Sequence, residues 1–195
     1  MKRVHSCYEA FKSWYDSPVS LMGGGRKHEF GHVTTRAQSV FICYLAQRSK
    51  GPIVEFGTFT GRTACDMALN TKQTIYTIDS GGVDNEGYAA YVSGSDFLNV
   101  ELANRPNLLI GDSRTVAIPV APHTAGFVFV DGGHSYDVVK SDSARAFDLV
   151  RPEGVILWDD YSGSWRGVMQ ALDEIDQERS LLFFDQDGMV AWGLI

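Results

Sequence analysis

The run IVEFGTFTGRTACDMA, residues 53–68, constrains the chain most. An unbroken apolar stretch with one embedded acid reads as a buried strand, and the glycines at 57 and 61 then turn it into a helix. Such a strand–turn–helix leaves backbone N–H groups and a helix N-terminus open to a nucleotide-like ligand, with Glu55 as an acceptor beside them. A cofactor-binding enzyme is therefore the leading expectation.

Short apolar runs alternate with helical patterns from residue 34 onward, the signature of repeated βα units and a mostly parallel sheet. Candidate strands are 53–57, 74–79, 107–110, 126–131 and 155–159. Between them, Ala64, Met67 and Ala68 fit one helix, while Val139, Ser143, Ala146, Phe147 and Val150 fall on one face of another. Thr34 or Thr35 caps an earlier helix with Val40, Phe41, Tyr44 and Leu45 inward. A last helix carries Val168, Ala171, Leu172 and Ile175. Two closing apolar runs, 181–184 and 189–194, flank Asp185-Gln186-Asp187-Gly188, which predicts an antiparallel hairpin. The glycine-rich stretch 22–32 and the loop 80–95 are candidate lids.

At 195 residues the chain supports one well-buried core. The expected organisation is a single domain over 1–195, with an N-terminal helix and glycine-rich loop in 1–33 and a cofactor-binding core in 34–195. A net charge of -7 and a pI near 5.1 argue against a nucleic-acid surface, which needs a basic patch. No apolar run approaches the ~20 residues needed to span a membrane, and the start lacks the apolar core of a secretory signal. Three widely spaced cysteines do not suggest a disulfide framework. These features predict a cytoplasmic protein with a small-molecule partner, no nucleic acid and no membrane; its oligomeric state stays open, a homo-oligomer included.

Glu55-x-Gly57-x-x-x-Gly61 departs from the GxGxxG dinucleotide fingerprint. Asp79 ends the second strand, 22 positions after Gly57, where an acid accepts hydrogen bonds from ribose hydroxyls. Asp112 and Ser113 follow the third. Three acids in chain order on the carboxyl edge of an open α/β sheet mark the ligand-binding rim. On these residues the chain resembles the class I S-adenosylmethionine-dependent methyltransferases from about residue 33 onward. The resemblance implies a Rossmann-like, doubly wound, mostly parallel seven-stranded sheet ending in an antiparallel hairpin. It also implies that Glu55, Gly57 and Gly61 line the methionine moiety, Asp79 the ribose, and Asp112 with Ser113 the adenine, with hydroxyl contacts from Thr58 and Thr63.

A second constellation is FVFVDGGHSYDVVK followed by GVILWDDY. A right-handed crossover makes the fourth and fifth strands neighbours ~4.8 Å apart, so Asp131 and Asp159 meet. Three ionised carboxylates within ~4 Å repel by about 4 kcal/mol per pair at an effective dielectric of 20, which a bound cation, a shared proton or divergent side-chain directions must relieve; a hard cation such as Mg²⁺, which takes carboxylate oxygens, is the attractive answer. Successive strand residues point to opposite faces, so Asp160 joins Asp159 only if the strand has ended. The pattern is similar to the divalent-cation-dependent O-methyltransferases of the catechol and caffeoyl-coenzyme A type, and it also resembles a broader group of small methyltransferase-like domains with an Asp-Gly-x-His-Ser-Tyr run. By that resemblance Asp131, Asp159 and Asp160 hold the metal. His134 stands where that family has its catalytic lysine, as a candidate base. Tyr136, Trp158, Tyr161 and Trp165 are candidate walls of an acceptor pocket.

His28-Glu29-Phe30-Gly31-His32 formally satisfies HExxH, yet the neighbouring glycines at 23, 24, 25 and 31 oppose the helix a zinc protease needs. A metal-independent methyltransferase with His134 as base, and a non-catalytic ligand-binding relative, are the alternatives.

Overall fold

Every residue of IVEF in β2 (Ile53–Phe56) and AGFVFV in β5 (Ala125–Val130) is buried, as two-faced central strands require. Alternate residues serve opposite faces. Val54, Phe56, Val128 and Val130 join one apolar cluster, while Ile53, Phe127 and Phe129 join the other. The structure is a computed structural model that describes residues 1–7, 11, 18–22, 34–81, 94–98 and 101–194. The HExxH run and the two candidate lids lie outside the described residues, except for the loop ends at 22, 80–81 and 94–95.

The remaining strands are β1 (Lys2–Val4), β3 (Ile75–Asp79), β4 (Asn107–Ile110), β6 (Val150–Trp158), β7 (Leu182–Phe184) and β8 (Met189–Trp192). They form one sheet in the order β1-β7-β8-β6-β5-β2-β3-β4. β8 runs antiparallel to both β6 and β7, giving the expected terminal hairpin. The sheet has eight strands where seven were expected. The addition is β1, which pairs in parallel with β7 from Lys2↔Leu182 to Val4↔Phe184. Three residues beginning Lys-Arg carry no periodicity, and the helix expected within 1–33 falls largely outside the described residues. Pairing with an apolar neighbour, rather than local pattern, makes it a strand.

Helix α1 (Arg36–Arg48) opens on a capping box: Thr35 Oγ1 accepts from Gln38 N at 3.2 Å and Gln38 Oε1 accepts from Thr35 N at 2.6 Å. It buries Phe41, Tyr44 and Leu45, with Val40 only half-buried. Helix α2 (Arg62–Ala68) buries Ala64, Met67 and Ala68. Helix α3 (Tyr136–Leu149) buries Val139, Ser143 and Ala146 as expected, but also Asp142. Phe147 is half-buried against the edges of Trp158 and Trp192, and Val150 belongs to β6. Helix α4 (Arg166–Glu178) buries Val168, Ala171, Leu172 and Ile175.

β2 lies between β3 and β5, so the chain walks outward through β3 and β4 and returns on the other side of β2. That reversal falls at β2 and β5, and the carboxyl ends of strands at such a switch point are where open α/β sheets bind ligands.

Candidate active site

Beyond β2 the backbone turns through Gly57, Phe59 and Gly61 with φ of 97°, 49° and 94°. A Cβ on Gly57 would lie 1.9 Å from the carbonyl oxygen of Asp131. Glycine is thus demanded both by the turn and by the close approach of the β2 and β5 ends. Phe59 N donates to Asp79 Oδ2 at 2.9 Å and Gly81 N to Asp79 Oδ1 at 2.9 Å, which fixes that carboxylate at the end of β3. Gly94 N reaches Phe59 O at 2.9 Å and Thr60 Oγ1 donates to Asp96 Oδ2 at 2.9 Å, tying the turn to the 94–96 segment.

Glu55 has no exposed surface. Thr58 and Thr77 hydroxyls lie 2.6 Å apart, and Thr77 donates to Glu55 Oε2 at 2.5 Å. Glu55 Oε1 has no partner among the described residues. Burial pushes the Glu55 carboxyl up to about 8, with the Asp79 charge adding and Thr77 opposing. The Thr58 hydroxyl therefore points into this buried chain. Thr63 Oγ1 lies 3.5 Å from Thr34 Oγ1.

The two residues expected at the adenine have other partners. Asp112 is exposed and held by Arg114 through Nε and Nη2 at 2.9 and 2.6 Å, which drives its carboxyl down to about 2. Ser113 Oγ donates to Asp142 Oδ2 at 3.1 Å, and burial pushes Asp142 up to about 6. Arg145, one turn further along α3, donates to the carbonyls of Ser113 and Val116.

At the other end, Asp131 N donates to Phe56 O at 2.8 Å and Asp159 N to Val130 O at 3.1 Å, so both acids step off adjacent strand ends in register. β6 has ended at Trp158, and Asp160 takes a left-handed φ of 63°. That turn brings Asp160 N to Asp159 Oδ1 at 2.8 Å and Asp160 Oδ2 to 2.8 Å from His134 Nε2. Burial first, and then Asp159, Asp160 and Glu55, push Asp131 well above the usual carboxylate range. Burial and Asp160 raise Asp159 to about 7. Both acids are half-buried at the rim.

The three aspartates gather as expected, but their oxygens do not form one ligand set. Asp159 faces Gln38 Nε2 at 3.1 and 3.4 Å, and Asp160 faces His134. Among the described residues no group of three Asp, Glu, His or Cys side chains is disposed to share a metal ion.

His134 also stacks on Trp165, centroids 3.8 Å apart and planes at 12°. The other candidate wall residues serve the packing. Trp158 is in the core with Nε1 donating to Ser143 Oγ at 2.9 Å, while Tyr136 and Tyr161 donate to Glu174 and Asp173 of α4 at 2.7 and 2.6 Å. Ser135 occupies the N-cap of α3 without a side-chain cap bond.

Sequence reasoning missed Gln38, Thr77, Asp142 and Arg145. Only Gln38 left a signal, as the third residue after Thr35 in a capping box, and that signal concerns the helix rather than the site.

A family model described as a methyltransferase domain matches residues 54–161, which span the glycine turn through the Asp159–Tyr161 segment. Solved structures share the fold. The O-methyltransferase NovP has 19% identity and a TM-score of 0.66, with 83% of this chain and 82% of that one covered. The O-methyltransferase TomG from Streptomyces achromogenes, solved in complex with SAM, has 20% identity and a TM-score of 0.59 over 82% and 81% of the two chains. An O-methyltransferase from Bacillus cereus in complex with SAH has 18% identity and a TM-score of 0.55 over 83% and 82%. No curated protein matches the chain.

Proposed function

The chain belongs to the methyltransferase-domain family, and from that premise we propose that it moves the methyl group of S-adenosylmethionine to a hydroxyl of a small molecule. One observation carries this reading: Gly57, Asp79, Asp131 and Asp159 leave successive parallel strands on one carboxyl rim, at the reversal between β2 and β5. TomG and the Bacillus cereus enzyme, of the same fold, were solved with SAM and SAH, which supports this choice of cofactor.

The residues fit that cofactor. Glu55 Oε1 is a buried acceptor awaiting a donor, and Asp79 is a carboxylate ordered by two backbone N–H groups beside the turn. In this reading Glu55, Gly57 and Gly61 shape the methionine end, with Thr58 buttressing Glu55 through Thr77 and Thr63 flanking it. Asp79 holds the ribose, and Asp112 and Ser113 border the adenine.

Methyl transfer is an in-line displacement in which catalysis rests on alignment of the nucleophile with the methyl carbon. Asp131, Asp159 and Asp160 stand at the end of the rim where the acceptor hydroxyl would lie. Their carboxyls are hard oxygen donors, but Mg²⁺ or a similar ion would share them only if Asp159 left Gln38 and Asp160 left His134, so the arrangement present among the described residues does not fit a metal. Asp160 holds His134 at Nε2, which orients the imidazole and stabilises the imidazolium that forms when it takes a proton. Stacking on Trp165 keeps that ring from rotating.

The existing pairing of Asp159 with Gln38 and of Asp160 with His134 favours a second reading, in which His134 is the base and no metal takes part. Calorimetry with S-adenosylhomocysteine tests the cofactor: binding is expected in the wild type and lost in Asp79→Ala, and no wild-type binding would rule the reading out. Release of S-adenosylhomocysteine in an acceptor screen, with and without EDTA, separates the two mechanisms. Activity retained in EDTA selects the metal-free one.

A further inference from the structure

We propose that Ser113 and Asp142 together select the base of the cofactor: Asp142 engages the Ser113 hydroxyl proton, so that residue 113 meets the ligand as an acceptor and admits a 6-amino purine over a 6-oxo purine. The inference rests on the methyltransferase reading and deepens it, with Ser113 as the contact and Asp142 as the positioning residue behind it.

The strand ends fix where the pair lies. β4 pairs with β3 up to Asp79↔Ile110, and Gly111 N donates to Asp79 O at 2.8 Å. Residues 111–113 therefore leave the sheet one strand, ~4.8 Å, over from the carboxylate proposed for the ribose, within reach of a base attached to that ribose. Asp142 enters from α3. It is 1% exposed, and a Cβ on Gly132 would lie 3.4 Å from its Oδ2. Its carboxyl is thus wedged between the loop after β4 and the glycine that follows Asp131 at the end of β5.

Ser113 is half-buried, and its carbonyl accepts from Arg145 Nη1. Its hydroxyl donates to Asp142 Oδ2 at 3.1 Å. A hydroxyl has one proton and two lone pairs, and an ionised carboxylate has no proton to give back. The direction of this bond is therefore fixed, and the hydroxyl faces a ligand with lone pairs alone. Asp142 Oδ1 is buried without a partner among the described residues, so no other side-chain donor there competes with Ser113 for the carboxylate. The exocyclic amine of a 6-amino purine donates to such an acceptor. The carbonyl of a 6-oxo purine instead sets two acceptors against each other, and polar groups left unpaired in a site are what give it strong discrimination. A serine without Asp142 would turn its proton to suit either base and select neither.

The test is calorimetry with S-adenosylhomocysteine and its 6-oxo analogue, S-inosylhomocysteine, at about pH 7.5, where Asp142, raised to about 6, is ionised. It uses the full chain as wild type, Ser113→Ala, Asp142→Leu and the double variant. The wild type should favour the amino form by about 10- to 100-fold. In either single variant that ratio should fall toward one, and the double variant should fall no further, because both residues act through one hydroxyl. A merely structural role for Asp142 would weaken both nucleosides alike and leave the ratio standing, which overturns the proposal. So does a Ser113→Ala variant that discriminates as the wild type does. A wild type that binds both nucleosides equally overturns this inference alone, whereas one that binds neither overturns the cofactor reading and the inference with it. If Asp142→Leu fails to fold, pH puts the same question to the wild type. From about pH 7.5 to 5.5 Asp142 takes up a proton that it can donate to Ser113, while Asp112, driven down to about 2, and Arg114 and Arg145 beside it keep their charges. The wild-type ratio should then fall several-fold and that of Ser113→Ala stay flat. A wild-type ratio that holds across this range overturns the proposal.

Discussion

Glu55 concentrates the conflict between folding and binding into one side chain. Its carboxyl is held up at about 8 by burial, against an ordinary value of 4.5, so the fold disfavours the charged form. The sign follows directly. Below about pH 4.5 folded and unfolded chains are both protonated there and nothing is lost. As pH rises toward 8 the unfolded chain ionises while the folded chain resists, and stability falls through that window before levelling off. Glu55→Gln removes this dependence. At pH 8 the cofactor-free variant should melt several degrees above the wild type, and near pH 5 the gap should close, while affinity for S-adenosylhomocysteine drops at both. A gap of equal size at the two pH values would refute the assignment. Gly57→Ala is the opposite kind of change. Its Cβ meets the Asp131 carbonyl oxygen at 1.9 Å with φ at 97°, so β2 and β5 must separate, and a loss above ~3 kcal/mol is expected in urea unfolding.

The elements differ in how openly the sequence announces them. α4 was legible to the residue because Val168, Ala171, Leu172 and Ile175 repeat at helical spacing and no tertiary contact overrides them. Asp131 and Asp159 were legible as neighbours because a right-handed crossover leaves one arrangement for consecutive parallel strands. β1 was not, since Lys-Arg-Val becomes a strand only when β7 offers it a partner. Neither was the Gln38–Asp159 contact, which spans 121 positions and has no local pattern. Asp112 and Ser113 were correctly placed after their strand, but their partners Arg114, Asp142 and Arg145 depend on how α3 lies against the 112–116 loop. That clamp is itself testable. In Arg145→Ala the carbonyls of Ser113 and Val116 lose charged donors, interactions worth about 1.5–3 kcal/mol each. Amide hydrogen exchange should speed up at Thr115 and Val116, with α3 protected as before. Unchanged exchange in that loop would mean that Arg145 does not hold it.

At the scale of the whole molecule, the sheet divides at the reversal between β2 and β5. β3 and β4 extend from β2 on one side, and β6, β8, β7 and β1 extend from β5 on the other. The cofactor proposed here spans that division, with its ribose on Asp79 and its sulfonium beside Asp131, so binding should join the two halves rather than stabilise one. A ligand that binds only the folded state stabilises it by about 2.7 kcal/mol when present at 100 times its Kd. For a domain of this size each kcal/mol is worth about 2–4 °C, which gives a rise in melting temperature of roughly 5–10 °C with S-adenosylhomocysteine. The transition should remain single, because a ligand bridging both halves leaves neither free to unfold first. Asp79→Ala should abolish the rise, and should itself lower the ligand-free melting temperature, because Phe59 N and Gly81 N lose their acceptor. Splitting of the melt into two steps on adding S-adenosylhomocysteine would place the ligand on one half alone and contradict the bridging geometry.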